Sequence, residues 1–123
     1  MFILRKIEGG RINVYEPQML IAGGNINVGQ ALVFNADGNV EASKSATTTP
    51  TFIALADAKS GEEVACGRVE SNQIYSTKKV TGTTPKKGAK CKMNGTVDGI
   101  DTSATGTVEV VAIEGNTAYI RFV

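Results

Sequence analysis

Thr107-Val-Glu-Val-Val-Ala-Ile-Glu-Gly-Asn-Thr-Ala-Tyr-Ile-Arg-Phe-Val123 reads as two strands about a tight turn. Thr107 to Ile113 and Thr117 to Val123 flank Glu114-Gly115-Asn116. In the second run Ala118, Ile120 and Phe122 fall on one face, and Tyr119 and Arg121 on the other. That period of two is the mark of a half-buried strand. A short glycine-containing connection between two such runs predicts an antiparallel hairpin.

The pattern recurs upstream. Ala31 to Phe34 and Val40 to Ala42 flank the turn Asn35-Ala36-Asp37-Gly38-Asn39. Thr51 to Ala56 and Glu63 to Val69 flank Ser60-Gly61, Gln73 to Val80 alternates, and Ala89 to Met93 runs into Asn94-Gly95, the strongest short hairpin signal in the chain. Composition agrees, since 12 Val, 10 Ile and 13 Thr stand against 4 Leu. Branched side chains lose rotamer freedom in a helix but pack well on a pleated surface. The expected fold is therefore all-β: one small β-barrel or β-sandwich of nine or ten short strands over residues 26–123. Its 123 residues suffice for one compact core.

The first 25 residues are expected to be an extended N-terminal arm or edge strands. Phe2 to Ile7 is a short apolar run, Gly9-Gly10 follows, and Arg11 to Ile21 is interrupted by Pro17. Proline cannot donate to a ladder, which excludes a central strand there.

An internal repeat is also visible. Gly29-Gln-Ala-Leu-Val-Phe-Asn35 and Gly88-Ala-Lys-Cys-Lys-Met-Asn94 are each followed by a glycine turn and a valine, then by a Ser/Thr-rich loop and an apolar strand. Two imperfect copies leave coincidence as the alternative.

Chemistry is sparse. There is no histidine, which removes Ser-His-Asp and Cys-His nucleophile systems and imidazole metal ligands. Cys66 and Cys91 are expected as buried free thiols, because no further Cys or His is present to complete a zinc site. Gly82-Thr-Thr-Pro-Lys-Lys-Gly88 misses the phosphate-loop spacing, and Pro85 removes an amide from it. Asn35, Asp37, Asn39 and Glu41 alternate like calcium ligands, but glycine comes too early and no helices flank them. Asn94-Gly95-Thr96 is a formal glycosylation sequon that reads better as a turn. Glu62 and Glu63 are adjacent, so on a strand they point to opposite faces. No enzyme activity, metal or cofactor is expected.

Charge is nearly balanced, with a net of +1. Lys78, Lys79, Lys86, Lys87, Lys90 and Lys92 nevertheless crowd one stretch. They form either a solvated face or a basic patch for an acidic surface or phosphates. Only Tyr75 lies near as a stacking platform, which weighs against single-stranded nucleic acid. No apolar run approaches the roughly 20 residues of a membrane span. Met1-Phe2-Ile3-Leu4-Arg5-Lys6 reverses the order of a secretory signal, so a cytosolic product is expected.

The segment Val28 to Tyr75 resembles the capsid decoration, or cement, proteins of tailed bacteriophages. The likeness rests on Gly29-Gln-Ala-Leu-Val-Phe, on Asp37-Gly38-Asn39-Val40, and above all on FIALADAKSGEEVACGRV (Phe52 to Val69). It covers about half of the chain and consists of turns and strands rather than catalytic residues. It implies a non-enzymatic protein, made in the host bacterial cytoplasm, that sits on the capsid exterior of the virion. There it would bind the major capsid protein, as a homotrimer at threefold or quasi-threefold positions, and stabilise the head by bridging shell subunits. Phe2, Ile3, Leu4, Arg5, Lys6, Arg11 and Tyr15 are the candidate capsid contacts, as an arm that adds a strand to a capsid sheet. The other reading makes them the first strands of the domain's own sheet. Two further functions stay open: a small nucleic-acid-binding barrel using the lysines, or another β-rich virion component such as a head-fibre base, tail or neck protein.

Overall fold

A computed structural model describes residues 1–8 and 16–123. It is an all-β domain of two sheets, with no helix among the described residues. The strands are β1 (Ile3–Ile7), β2 (Gln18–Ile21), β3 (Ala31–Phe34), β4 (Val40–Ala42), β5 (Phe52–Ala54) and β6 (Glu63–Arg68), then β7 (Gln73–Thr77), β8 (Val80–Thr81), β9 (Lys90–Met93), β10 (Ile100–Asp101), β11 (Val108–Glu114) and β12 (Thr117–Phe122). One sheet has the order β1-β7-β12-β11-β9-β10-β8, the other β2-β6-β5-β3-β4. The excess over the expected nine or ten comes largely from β8 and β10, two residues each, too short to carry a readable alternation. Neither sheet closes into a continuous barrel among the described residues.

Alternation places the cores. On β12 Ala118, Ile120 and Phe122 turn inward, as the sequence predicts, and on β9 Cys91 and Met93 do so. These join Phe2, Tyr75, Val97, Ile100, Val108 and Val110 in one cluster, to which the other sheet adds Ala31 and Ile53. Phe122 packs edge-on against both Phe2 and Tyr75, with ring centroids 5.2 and 5.6 Å apart. A second cluster, including Leu32, Val40, Phe52, Val64 and Cys66, occupies the opposite face of the five-stranded sheet. The other face of that sheet is buried only in part: Ala31 and Ile53 are covered, while Met19, Ile21 and Leu55 stay exposed.

The sequence repeat has a structural counterpart. The order β2-β6-β5-β3-β4 is matched by β7-β12-β11-β9-β10. Registers match as well: Leu32 opposes Phe52 as Cys91 opposes Val108, and Phe34 opposes Val40 as Met93 opposes Ile100. Each half draws its ends together by a short parallel contact, Ala22 to Val40 in the first and Val80–Thr81 to Ile100–Asp101 in the second. Gly29 and Gly88 stand at the same point before β3 and β9, both with positive φ (80° and 87°).

The two Asn turns differ. Asn35 Oδ1 accepts from the amides of Asp37 and Asn39 (3.0 Å each), which closes the expected β3–β4 hairpin. The Asn94-Gly95 signal instead opens a connection running to Gly99. Asn94 is buried and its Oδ1 accepts from the amides of Asp98 (3.1 Å) and Gly99 (3.2 Å). The left-handed residue there is Val97, φ 50°, not the glycine. Its side chain is buried and its carbonyl accepts from Ala31 N–H at 2.8 Å, so packing against the first half holds the loop in this conformation.

Candidate functional site

Strand β1 forms one edge of the larger sheet, paired antiparallel with β7. Its residues divide by face. Phe2, just before it, is 2% exposed and lies in the core, so its ring turns inward rather than outward toward a partner. Its amide donates to the Gly29 carbonyl at 2.9 Å, tying the strand to the first half as well. Ile3 and Leu4 remain exposed. A bulge between Leu4 and Lys6 re-aims Arg5, whose Nε donates to Ser76 Oγ at 2.8 Å. Lys6 is exposed. Arg11 and Tyr15, the other two candidate contacts, lie outside the described residues.

Beside β1 runs an apolar groove of about 560 Å³. Met1 lines it ahead of β1, Ile3 and Leu4 from β1, Leu55 and Gly67 from the β5–β6 region, and Tyr75 from β7. Met1, Ile3, Leu4 and Leu55 all count among the exposed large apolar residues. Leu55 shares a row with Met19, because both pair with Ala65 across β6. Sequence reading picks out Ile3 and Leu4 but not Leu55 or Gly67, which reach the groove only through pairing across long sequence separations.

Pro17 immediately precedes β2, the edge of the smaller sheet, in keeping with the exclusion of a central strand.

The six lysines stand on three segments of the second half, and two of them are ion-paired. Lys78 and Lys79 separate β7 from β8, Lys86 and Lys87 are in the loop before β9, and Lys90 and Lys92 share the outer face of β9. Lys79 Nζ lies 2.6 Å from Asp98 Oδ2, and Lys92 Nζ 3.7 Å from Asp101 Oδ2. Lys78, Lys86, Lys87 and Lys90 are exposed and make no ion pair among the described residues.

Buried polarity concentrates around Asp98. Its Oδ1 accepts from Thr96 Oγ1 (2.6 Å) and Asn94 Nδ2 (3.1 Å), and Lys79 takes the other oxygen. Burial works to raise this carboxyl's pKa, but hydrogen bonds from Lys79, Thr96 and Asn94 outweigh it and hold the group below its ordinary value. Both carboxylate oxygens are thus held by neighbouring side chains. Both cysteines are buried free thiols; burial pushes Cys66 up to about 11 and also raises Cys91, with Asp101 adding to the latter. Among the described residues no three Cys, Asp or Glu side chains gather into a metal-binding group, and no helix is long and apolar enough to cross a membrane.

No protein-family model matches the chain, and no curated protein is similar to it.

Proposed function

We propose that this protein is a capsid decoration protein that binds the outer surface of a mature icosahedral phage head. The observation that carries this reading is the apolar groove beside β1, with Ile3, Leu4 and Leu55 exposed around it. Such a surface suits adhesion, and the resemblance over Val28 to Tyr75 supplies the class of partner: the major capsid protein. Three copies at threefold or quasi-threefold positions, each using this groove, would bridge neighbouring shell subunits. Binding only the mature shell stabilises that state by mass action, and several simultaneous contacts let each one be weak. In this reading β1 docks as part of the folded domain, with its outer face presented, and each five-stranded half acts as a small barrel-like body.

The test is sedimentation of native DNA-filled particles with counting of this chain against the major shell protein. A ratio near one chain per shell subunit supports the reading, and absence from particles overturns it. Leu55→Asp, which places a charge in the groove, is expected to leave the fold intact and to remove the chain from particles.

A second reading draws on Lys78, Lys86, Lys87 and Lys90, which stand unpaired among the described residues. It makes the second half a nucleic-acid-binding surface. Binding of single-stranded DNA that falls steeply with salt supports it, and no binding at low salt removes it.

A further inference from the structure

The two halves of the chain touch through unlike surfaces. The first half contributes Ala31, Ala46 and Ile53, and the second contributes Met93 and Val97. Met93 N–H donates to the Ala46 carbonyl and Ala31 N–H to the Val97 carbonyl, both at 2.8 Å. In the register that the halves share, Met93 corresponds to Phe34, Ala31 to Lys90 and Ile53 to Glu109. The contact is therefore heterologous, and a heterologous contact leaves one unused surface of each kind.

Both unused surfaces are visible. The seat is Phe34 on the first half. Its ring packs edge-on against Phe52 at 5.4 Å yet is 48% exposed, whereas Met93 at the same position is 0% exposed. Against Met93 lies the loop between β4 and β5, which carries Ser45-Ala46-Thr47: its Ala46 carbonyl takes the Met93 N–H, and Ala46 packs on the same cluster. The equivalent loop between β10 and β11 carries the same triplet, Ser103-Ala104-Thr105, and all three residues are exposed.

We propose that a second copy of this chain fills the seat. The Ser103–Thr105 loop of one copy packs on Phe34 and the adjoining Asn35–Asn39 turn of the next, repeating between chains the contact made within one. Charge favours this pairing, because residues 16–70 hold seven Asp/Glu against three Lys/Arg while residues 71–123 hold four against seven. An acidic first half thus meets a basic second half. Lys90 and Glu109 replace apolar Ala31 and Ile53, so the contact between copies is more polar than the internal one and weakens with salt. The Ala104 carbonyl already accepts from Lys92 N–H at 3.1 Å, so side chains make the contact, centred on the Phe34 ring. Nothing in this proposal depends on a capsid partner.

Sedimentation velocity of the purified full chain over a concentration series, at low and high salt, reads the association. Wild type is expected to reach at least twice the 12.9 kDa of one chain at low salt and to shift toward a single chain at high salt. Phe34→Asp spoils only the seat and Ala104→Glu only the cover. Each alone is expected to sediment as a single chain, while an equimolar mixture forms a one-to-one dimer through the one intact seat and one intact cover. Asp37→Lys on the exposed turn, which leaves the Phe34–Phe52 contact untouched, replaces Phe34→Asp if that variant loses its circular-dichroism spectrum. Wild type that stays a single chain at every concentration in low salt overturns the proposal. So does association unchanged by these variants, or a mixture that stays dissociated.

Discussion

Lys79 Nζ and Asp98 Oδ2 lie 2.6 Å apart where β7 gives way to β8, at the closing contact of the second half. Lys79's carbonyl accepts from Ile100 N–H at 2.9 Å, so backbone and side chain of one residue fasten the same seam. Asp98 is nearly buried, and Lys79 keeps more than half of its side chain in solvent. The carboxylate is therefore the member whose charge the fold must accommodate.

A pH dependence follows from that carboxylate. Its folded pKa is lowered relative to about 3.9 for an unfolded Asp. The stabilisation is therefore present above the unfolded value and lost as pH falls through the folded one. Asp98→Asn is expected to cost about 1.5–3 kcal/mol at neutral pH, with the lower end favoured by the exposure of Lys79. The gap to wild type should narrow below about pH 4, where the carboxyl of the unfolded chain binds a proton that the folded one still refuses, and close as pH falls through the folded value. Urea unfolding of both proteins across this range measures it; a gap that is constant down to the lowest pH contradicts the assignment.

Two glycines in the same loop are expected to behave oppositely. Gly95 has open space where a Cβ would go and no positive φ, so Gly95→Ala should be neutral or stabilising by about 0.4–1 kcal/mol. At Gly99 a Cβ would run into the Lys79 backbone and the Asn94 side-chain amide. Gly99→Ala is expected to cost about 1–3 kcal/mol through this overpacking. Denaturation midpoints of the two variants decide the matter, and equal effects would contradict the loop geometry.

The thiols give a chemical readout. With Cys66 pushed up to about 11, its thiolate is scarce at pH 8. Reaction with a disulfide reagent is expected to be at least about 100-fold slower in the native protein than in denaturant, where both thiols titrate. The raised pKa also means that the contribution of this group is intact below the unfolded value of about 8.5 and declines as pH rises toward the folded one. Prompt labelling of native protein would show that the second core cluster opens readily.

Neighbours at the N-terminus are expected to separate stability from adhesion. Phe2→Ala empties a site beside Phe122 and should cost about 3–5 kcal/mol. Leu4 is 43% exposed, so Leu4→Asp should move stability by less than about 0.5 kcal/mol. Losing the burial of one leucine against a shell is worth about 1.5–3 kcal/mol, or roughly 10–150-fold in affinity per site. Thermal melts and particle-binding assays on the two variants read the two effects separately.

Much of this architecture is legible in the residues. Strands β3, β4 and β12 fall where alternation places them, and Pro17 sits at the start of an edge strand because it has no amide to give a second neighbour. The Asn35 turn is local, so nearby side chains suffice to read it. Asn94-Gly95 looks alike but is governed by Val97, which is held at positive φ by contacts with Ala31, far away in sequence. The groove is hidden for the same reason. Leu55 and Leu4 line one groove only because β1 crosses the chain to pair with β7, and no spacing within either segment records that crossing.

That crossing also sets an order of events during synthesis. Residues 18–69 contain every strand of the first half and could close while the ribosome is still at work. Phe2 has no such freedom, since its ring waits for Phe122, made 120 positions later, and β1 waits for β7. Long-range closures of this kind are slow because the loop entropy is lost before the contact forms. The earliest residues to leave the ribosome are thus among the last to settle. Until then Ile3, Leu4 and Phe2 are held together on an unpaired apolar strand, the stage at which a growing chain is most vulnerable to sticking to its neighbours.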